Sequence, residues 1–285
     1  MNGILLVKKE QGPTSRDIVN KVCKILNTKK VGHTGTLDPL ATGLLVLCIG
    51  SSLKLVELLT NHDKEYIAKI RLGIETDTLD ITGKITNKNK VPKISNEDLQ
   101  KVLNSLTGKI KQQVPKYSAI KVNGKKLYEY ARNNQQVELP IREIEVYNIE
   151  IISPLKDNEF TIKCNVSKGT YIRSLVRDIG YKLNTFATLI ELNRTKLGNF
   201  SLEESYSIED IEKGNFKLLS PLDILPFPQI TVDKEMEKKI RNGQILPKFF
   251  EGEKAFILNK QGNLLAIYTT KDIELVKPYK MFISE

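Results

Sequence analysis

The sequence has few of the side chains that bind metals or form disulfides, with three cysteines and two histidines in 285 residues. Cys23, Cys48 and Cys164 lie far apart among apolar neighbours and lack Cys-x-x-Cys spacing, which indicates reduced core residues of a cytosolic protein. His33 and His62 have no partner at the spacing of metal ligands. We therefore predict no metal site.

Long apolar segments are also missing. No stretch reaches the roughly 20 apolar residues that span a bilayer, and the apolar run at residues 4–7 is too short for the core of a signal peptide. We expect a soluble, cytoplasmic monomer that makes no membrane contact.

Acidic residues are fewer than basic residues. With 44 Lys and Arg against 34 Asp and Glu, the formal net charge of +10 suits a protein that neutralises phosphates. Lysine-rich soluble proteins have a similar charge without binding nucleic acid, so charge alone leaves both interpretations open.

Reactive and backbone-shaping residues are concentrated in residues 31–47, VGHTGTLDPLATGLLVL. Glycines and Pro39 punctuate residues 32–43, which predicts a loop shaped for close approach to another molecule. The ring of Pro39 pushes the backbone of Asp38 out of the α region and gives its carboxylate a defined direction. Asp-Pro is also a common turn opening, so this pair alone does not identify a reactive group.

The string of residues 32–45 resembles the catalytic-loop signature of the TruB family of tRNA pseudouridine synthases. The resemblance implies that Asp38 is the nucleophile of an isomerase that converts uridine 55 in the T arm of tRNA to pseudouridine. This reaction breaks the bond from the base to C1′ and rejoins the base through C5 without redox change, so we expect no cofactor. It needs an ionised carboxylate, a charge partner and a surface that retains the detached base.

Two further segments resemble motifs of the same family. Residues 63–83 are similar to its second motif, which implies that Tyr66 packs on the target base, although a tyrosine that starts a strand is otherwise a core residue. KGTYIR at residues 168–173 resembles the third motif, whose arginine pairs with the aspartate. Arg173 is then the partner of Asp38, with a planar group able to grip a carboxylate through two parallel bonds.

The resemblance also implies the remaining contacts to RNA. Tyr171 and Leu192 line the uracil pocket, and Lys9, in a segment similar to the first motif, is counted among the substrate-binding residues. A stacked base must be flipped out of folded RNA, and planar His33 is the candidate to fill the gap, the alternative being a loop histidine that bonds to backbone. Asn193 stands where the closing motif usually has arginine.

Residues 115–132, PKYSAIKVNGKKLYEYAR, interleave basic and aromatic side chains, and we call them the Lys/Tyr segment. Asn123-Gly124 within it predicts a hairpin, because both central positions of a type I′ turn need positive φ. Lys125 and Lys126 are expected to contact RNA phosphates beside stacking tyrosines. A solvated, charged hairpin is the alternative interpretation.

Periodicity predicts the fold class. Alternating runs at residues 64–72, 144–152 and 160–166 indicate strands, and capped helical patterns follow Thr14 and Ser95. We expect an α+β pseudouridine synthase-like domain at residues 1–228, with a central, mainly antiparallel mixed sheet flanked by helices. Residues 229–285 are expected to form a small, mainly β, PUA-like RNA-binding domain.

Two other functions fit parts of the sequence. A non-catalytic RNA-binding or tRNA-folding protein would keep the fold and the basic segment, but it has no use for a carboxylate that repels phosphate in a basic groove. A pseudouridine synthase that acts on another RNA would keep the same loop. Asp38 therefore argues against the first alternative and not against the second.

Overall fold

The computed structural model describes residues 1–282, which form two main sheets with helices packed against them. The strands, in chain order, are β1 (Gly3–Lys9), β2 (Val31–His33), β3 (Thr42–Ile49), β4 (Lys64–Leu72), β5 (Ile74–Thr76), β6 (Ile85–Lys88), β7 (Gly108–Gln113), β8 (Lys121–Val122), β9 (Lys125–Lys126), β10 (Ile141–Lys156), β11 (Glu159–Val166), β12 (Ala187–Leu197), β13 (Phe200–Ser201), β14 (Gln229–Thr231), β15 (Leu246–Pro247), β16 (Lys254–Leu258), β17 (Leu264–Thr270) and β18 (Leu275–Met281).

The helices are short and lie between the strands. They are α1 (Ser15–Ile25), α2 (Val56–Thr60), α3 (Asn96–Ser105), α4 (Leu127–Arg132), α5 (Ile172–Lys182), α6 (Ile208–Glu212), α7 (Pro221–Ile224) and α8 (Lys234–Arg241), with 3₁₀ helices at Gly50–Leu55 and Leu202–Glu204. Within residues 1–282, no helix has both the length and the apolar character needed to cross a membrane.

The first sheet has the strand order β1-β3-β12-β4-β11-β10-β7, with β2 attached to β3 and β13 to β12. Its pairs are antiparallel except for β12 and β3, which pair in parallel. Strand β12 comes late in the chain and lies between β3 and β4. The loop that precedes β3 is thereby brought beside β4 and β12.

Helices α1, α3 and α5 bury their apolar sides in the largest core cluster of the sheet. Capping boxes begin α1 at Thr14 with Asp17 and α3 at Ser95 with Asp98, because each side chain bonds the other residue's backbone N–H. These two helix starts confirm the predictions made from the capping patterns. Strand β4 spans Lys64–Leu72, which are the residues that the alternation predicts.

The second sheet has the order β14-β16-β17-β18-β15 and lies entirely in the last part of the chain. The predicted α+β class, with a mixed sheet and a mainly β unit at the C-terminal end, is confirmed. The boundary at residue 228 stays a prediction. Phe256 and Ile267 of the second sheet share one apolar cluster with Ile4 and Leu44 of the first.

One local prediction is wrong in part. The loop predicted at residues 32–43 is shorter, because residues of β2 pair with Leu47, Cys48 and Ile49 and because β3 already begins at Thr42. After β3 the chain forms the 3₁₀ helix that ends at Leu55, and α2 follows directly.

The hairpin predicted in the Lys/Tyr segment is present but small. Asn123 and Gly124 have φ values of 50° and 80°, as a type I′ turn requires, yet the paired arms are only β8 and β9. The second arm turns into α4, because Leu127 and Ala131 are buried at helical spacing. Two of the predicted strand tyrosines therefore lie on a helix.

Candidate active site

Residues 34–41, here called the aspartate loop, are anchored by side chains from the start of the chain. The buried ammonium group of Lys9 donates to the carbonyl oxygen of Ala41 at 2.6 Å. Ser15 accepts from the N–H of Leu37 at 2.8 Å and lies 3.1 Å from its carbonyl oxygen. The loop thus has a fixed backbone although it has no regular secondary structure.

Asp38 projects from this loop and contacts Arg173 of α5. The Nε of Arg173 lies 2.8 Å from Oδ2 of Asp38, and the arginine side chain is 6% exposed while that of the aspartate is 39% exposed. The terminal nitrogens of Arg173 donate to the carbonyl oxygens of Thr78 and Tyr117, each at 2.9 Å. The predicted pairing is present, but one bond replaces the expected two because the guanidinium also holds two backbone segments.

A second carboxylate lies near the same guanidinium. Oδ2 of buried Asp80 is 4.0 Å from a terminal nitrogen of Arg173, and Oδ1 accepts from the hydroxyl groups of Thr78 and Thr82. A side chain at Gly83 would place its Cβ 2.3 Å from the Thr78 hydroxyl. The turn around Asp80 therefore requires glycine at this position.

The residues expected around the base line one cavity of about 670 Å³ with Asp38 and Arg173. Tyr66 on β4 and Leu192 on β12 are each 7% exposed, and Tyr171 caps the start of α5. Burial raises the pKa of Tyr66, and nearby Arg194 opposes the rise. These neutral walls surround the charged pair.

His33 lies at the end of β2 and is not among the residues that line this cavity. Its neighbour Thr34 does line the cavity. Burial lowers the pKa of His33, and the charges of Arg16 and Arg194 lower it further, so the ring is neutral at pH 7. Its Nδ1 is buried and, among residues 1–282, has no hydrogen-bond partner. This atom therefore does not bond to the backbone, as a loop histidine of the alternative interpretation would.

The three lysines predicted to bind substrate have different positions. Lys9 does not fit that role, because its side chain is fully buried and its ammonium group bonds to the aspartate loop. Burial lowers its pKa to about 8. Lys125 and Lys126 lie outside the cavity lining, next to the rings of Tyr130 and Tyr128 at 6.0 and 5.4 Å.

Arg194 was not singled out by the sequence reasoning, although it lines the cavity and is only 1% exposed. Its Nε donates to the carbonyl oxygen of Leu44 at 2.8 Å, and a terminal nitrogen donates to that of Gly35 at 3.1 Å. Strand alternation is the pattern that indicates Arg194 as a cavity residue, since it lies two residues after Leu192 and so faces the same side of the sheet.

Further cations surround the cavity. Lys64, Arg142 and Lys168 line it, and none of the three forms a salt bridge within residues 1–282. Burial lowers the pKa of Lys64 to about 8. In the described part of the chain, no three His, Cys, Asp or Glu side chains form a group that could hold a metal ion.

Sequence comparison finds relatives along most of the chain. Residues 23–172 match the family model described as TruB family pseudouridylate synthase, N-terminal domain, and residues 173–222 match the tRNA pseudouridylate synthase B C-terminal domain. The chain is 40% identical to the tRNA pseudouridine synthase B of Caldanaerobacter subterraneus subsp. tengcongensis, with 99% of each chain covered. It is 46% identical to that of Clostridium tetani over 85% of each chain.

Comparison of folds gives a consistent result. The chain is similar to a protein in the structure of an H/ACA ribonucleoprotein bound to a substrate RNA containing 2′-deoxyuridine, with a TM-score of 0.70. The match covers 99% of this chain and 85% of the other at 22% identity, so it supports the fold alone.

Proposed function

The chain belongs to the TruB family of pseudouridine synthases, and on that premise we propose that it converts uridine 55 in the T arm of tRNA to pseudouridine, with Asp38 as the nucleophile. The coarser activity, an isomerase acting on tRNA, follows from the family and its relatives. The observation that carries the proposal is a carboxylate that is 39% exposed in a cavity and bonded to an almost fully buried arginine.

The charges at this site support nucleophilic chemistry. The guanidinium of Arg173 lies 2.8 Å from the carboxylate of Asp38 as its charge partner, and a charged carboxylate is the form that attacks. Because Arg173 is also bonded to two backbone carbonyls, it keeps its position while the bond to the ribose breaks and reforms. The aspartate loop supplies a comparably fixed position for Asp38.

Neutral groups suit the detached base. Uracil has no charge, and an aromatic face retains a flat ring without fixing its orientation in the plane. Tyr66 and Tyr171 offer such faces next to the charged pair, and Leu192 adds an apolar surface. We assign Tyr66 to the target base and the other two to the pocket walls.

Entry of the base requires the RNA to open. We assign His33 to the gap that the flipped uridine leaves, because its neutral, flat ring lies one residue from the cavity wall and its Nδ1 makes no bond that holds it in place. The cavity cations Lys64, Arg142 and Lys168 are suited to the phosphates on either side of the flipped nucleotide.

The outer parts of the molecule are assigned to the rest of the tRNA. Lys125 and Lys126 carry charge next to tyrosine rings at the surface, as backbone phosphates and unpaired bases require. The C-terminal sheet is assigned to a PUA-like RNA-binding domain at residues 229–285. We propose that the protein works as a cytoplasmic monomer that needs neither metal nor cofactor.

The test is to map pseudouridine in unmodified tRNA before and after incubation with the pure protein. We expect one new pseudouridine, at position 55. Asp38→Asn keeps the size of the side chain and removes its charge, so it should abolish conversion while tRNA affinity stays within about tenfold. Modification at another position would redirect the proposal to another site or RNA, and substantial turnover by Asp38→Asn would remove the nucleophile's role.

A further inference from the structure

Two hydroxyl groups in the cavity wall lack a hydrogen-bond partner in the part of the chain that the structure describes. Ser118 and Thr170 both line the cavity, Ser118 is 6% exposed, and the hydroxyl oxygens of both are buried. Among residues 1–282, no group meets hydrogen-bond geometry with either oxygen, and a polar neighbour of Ser118 is the phenol of Tyr171, whose pKa burial raises and the Ser118 hydroxyl lowers. Buried hydroxyl groups are normally bonded, and leaving one unbonded costs stability, so each such group in a cavity indicates a ligand atom.

The backbone of Ser118 is fixed on both sides. The preceding carbonyl, that of Tyr117, accepts from Arg173, and the carbonyl of Ser118 itself accepts from the N–H of Tyr128 at 3.1 Å. Ser118 is therefore held between the catalytic ion pair and the start of α4. Its hydroxyl stays at the cavity wall and can change partners only by rotation of the side chain.

The chemistry of the base suggests what this hydroxyl meets. When a detached uracil turns by half a revolution about the line through N3 and C6, C5 takes the place of N1. The same turn exchanges the two carbonyl groups, so O2 and O4 swap positions. A donor directed at either position therefore faces a carbonyl oxygen both before and after the turn.

We propose that Ser118, which lines the same cavity as Thr170, donates a hydrogen bond to a uracil carbonyl and so retains the base before and after it turns. The inference rests on the proposed function and adds a base-positioning residue to it. A donor whose partner is replaced by an equivalent atom opposes escape of the base in both orientations and favours neither of them. Aromatic contacts alone provide no such directional hold.

The experiment measures single-turnover conversion of a T-arm minihelix at saturating concentrations of the protein. The minihelix carries uridine, 2-thiouridine or 4-thiouridine at the target position, because sulfur is a weaker hydrogen-bond acceptor than oxygen. Ser118→Ala should lower the rate for uridine by about three- to tenfold, as expected for one neutral hydrogen bond, with RNA affinity within about twofold. Ser118→Thr keeps the hydroxyl and should restore most of the rate.

The thio substitutions give a double-mutant cycle. At least one of them should slow the wild-type protein more than it slows Ser118→Ala, because the variant has already lost the donor. Ser174→Ala is the matched control, since this buried serine lies outside the cavity lining and bonds to the carbonyl of Gln113. It should leave the thio effects unchanged even if it lowers the melting temperature.

The outcomes separate this inference from the function. If the wild type converts the minihelix and Ser118→Ala matches it in rate and in both thio effects, the role of Ser118 is overturned and the function stands. A wild type that leaves the minihelix unmodified overturns both. If Ser118→Ala does not fold, equal wild-type rates with uridine and both thiouridines contradict the proposal without any variant.

Discussion

The aspartate loop and the Lys/Tyr segment both resemble family motifs, and they are held by different kinds of contact. The loop is bonded by side chains that come from β1, α1 and β12. The Lys/Tyr segment is bonded to Arg173 at Tyr117, and its remaining part relies on contacts within itself, such as the bond from the Tyr130 hydroxyl to the carbonyl of Val122 and the stacking of lysines on its own tyrosines.

This difference corresponds to the two functions that we assign to these regions, catalysis and RNA binding. Chemistry at a single bond requires a carboxylate whose position does not depend on local chain flexibility, so its supports come from distant parts of the fold. Contact with phosphates requires accessible charge and tolerates small displacements. Substitutions that displace Asp38 should therefore change rates, and substitutions of the exposed lysines in the Lys/Tyr segment should change affinity.

The largest effect is expected where the two regions meet, at Arg173. Lysine keeps the charge but cannot bond to Asp38, Thr78 and Tyr117 in the same planar arrangement. We expect Arg173→Lys to lower the single-turnover rate at saturating tRNA by about a hundredfold or more, with affinity within a few-fold.

The control is Arg177→Lys on the same helix, whose arginine pairs with its neighbour Asp178. It should leave the rate nearly unchanged. If Arg173→Lys instead bound tRNA poorly and reacted normally once saturated, Arg173 would be a phosphate contact and the catalytic pairing would have to be abandoned.

A matched pair of glycines compares the rigidity of the two regions. Gly43, in β3 two residues after the aspartate loop, has φ of +104°, and an added Cβ would lie 2.3 Å from the carbonyl oxygen of Arg194. Gly124 has φ of +80° with nothing within 4 Å of such an atom. We expect Gly43→Ala to cost roughly 3 to 5 kcal/mol in the free energy of unfolding and Gly124→Ala about 1 kcal/mol. Urea unfolding measures both, and equal costs would contradict the contrast.

The Lys/Tyr segment should show its role in the salt dependence of binding. Replacing Lys125 and Lys126 by glutamine should weaken tRNA binding and lower the slope of log affinity against log salt by about one unit per lost contact. The rate at saturating tRNA should stay nearly unchanged. The same substitutions at the exposed pair Lys88 and Lys90 are the control, and an unchanged slope in the first variant would make the segment a solvated surface.

The smallest effect concerns pH and the buried anchor of the loop. Burial lowers the pKa of Lys9 from 10.5 to about 8. Between these values the unfolded chain holds a proton that the folded chain has released, so this residue makes stability rise with pH across that window. Lys9→Met should reduce the rise between pH 8 and 10, measured by urea unfolding, whereas an identical pH dependence in both proteins would mean that the ammonium group is not shielded.

Local patterns predict the elements well where one face is buried. The alternation in β4 and the capping box at Ser95 give the observed starts, because both depend on neighbours in sequence. The Lys/Tyr segment shows the limit, since Leu127 and Ala131 turn a predicted strand into a helix by packing that no alternation reveals. The lengths of turns and arms depend on such tertiary contacts.

The candidate site likewise has features that the sequence predicts and features that only the folded structure shows. The pairing of Asp38 with Arg173 is implied by the resemblance to a family, and the periodicity of the sequence gives no indication of it. The carbonyl partners of Arg173 and the burial of Lys9 come from segments far apart in the chain, so only the folded structure brings them together. The roles assigned to Tyr66, Tyr171, Leu192 and His33 stay predictions.

The place of β12 in the first sheet has a consequence for how the protein is made. Because β12 pairs with the start of β3 and along the whole of β4, a nascent chain that has not yet reached Ala187 carries one edge of β4 without its partner. Unpaired edges invite pairing with other chains, so this interval of synthesis is when the protein most needs a chaperone. Activity also cannot begin early, since Arg194, which braces the aspartate loop, arrives with the same late strand.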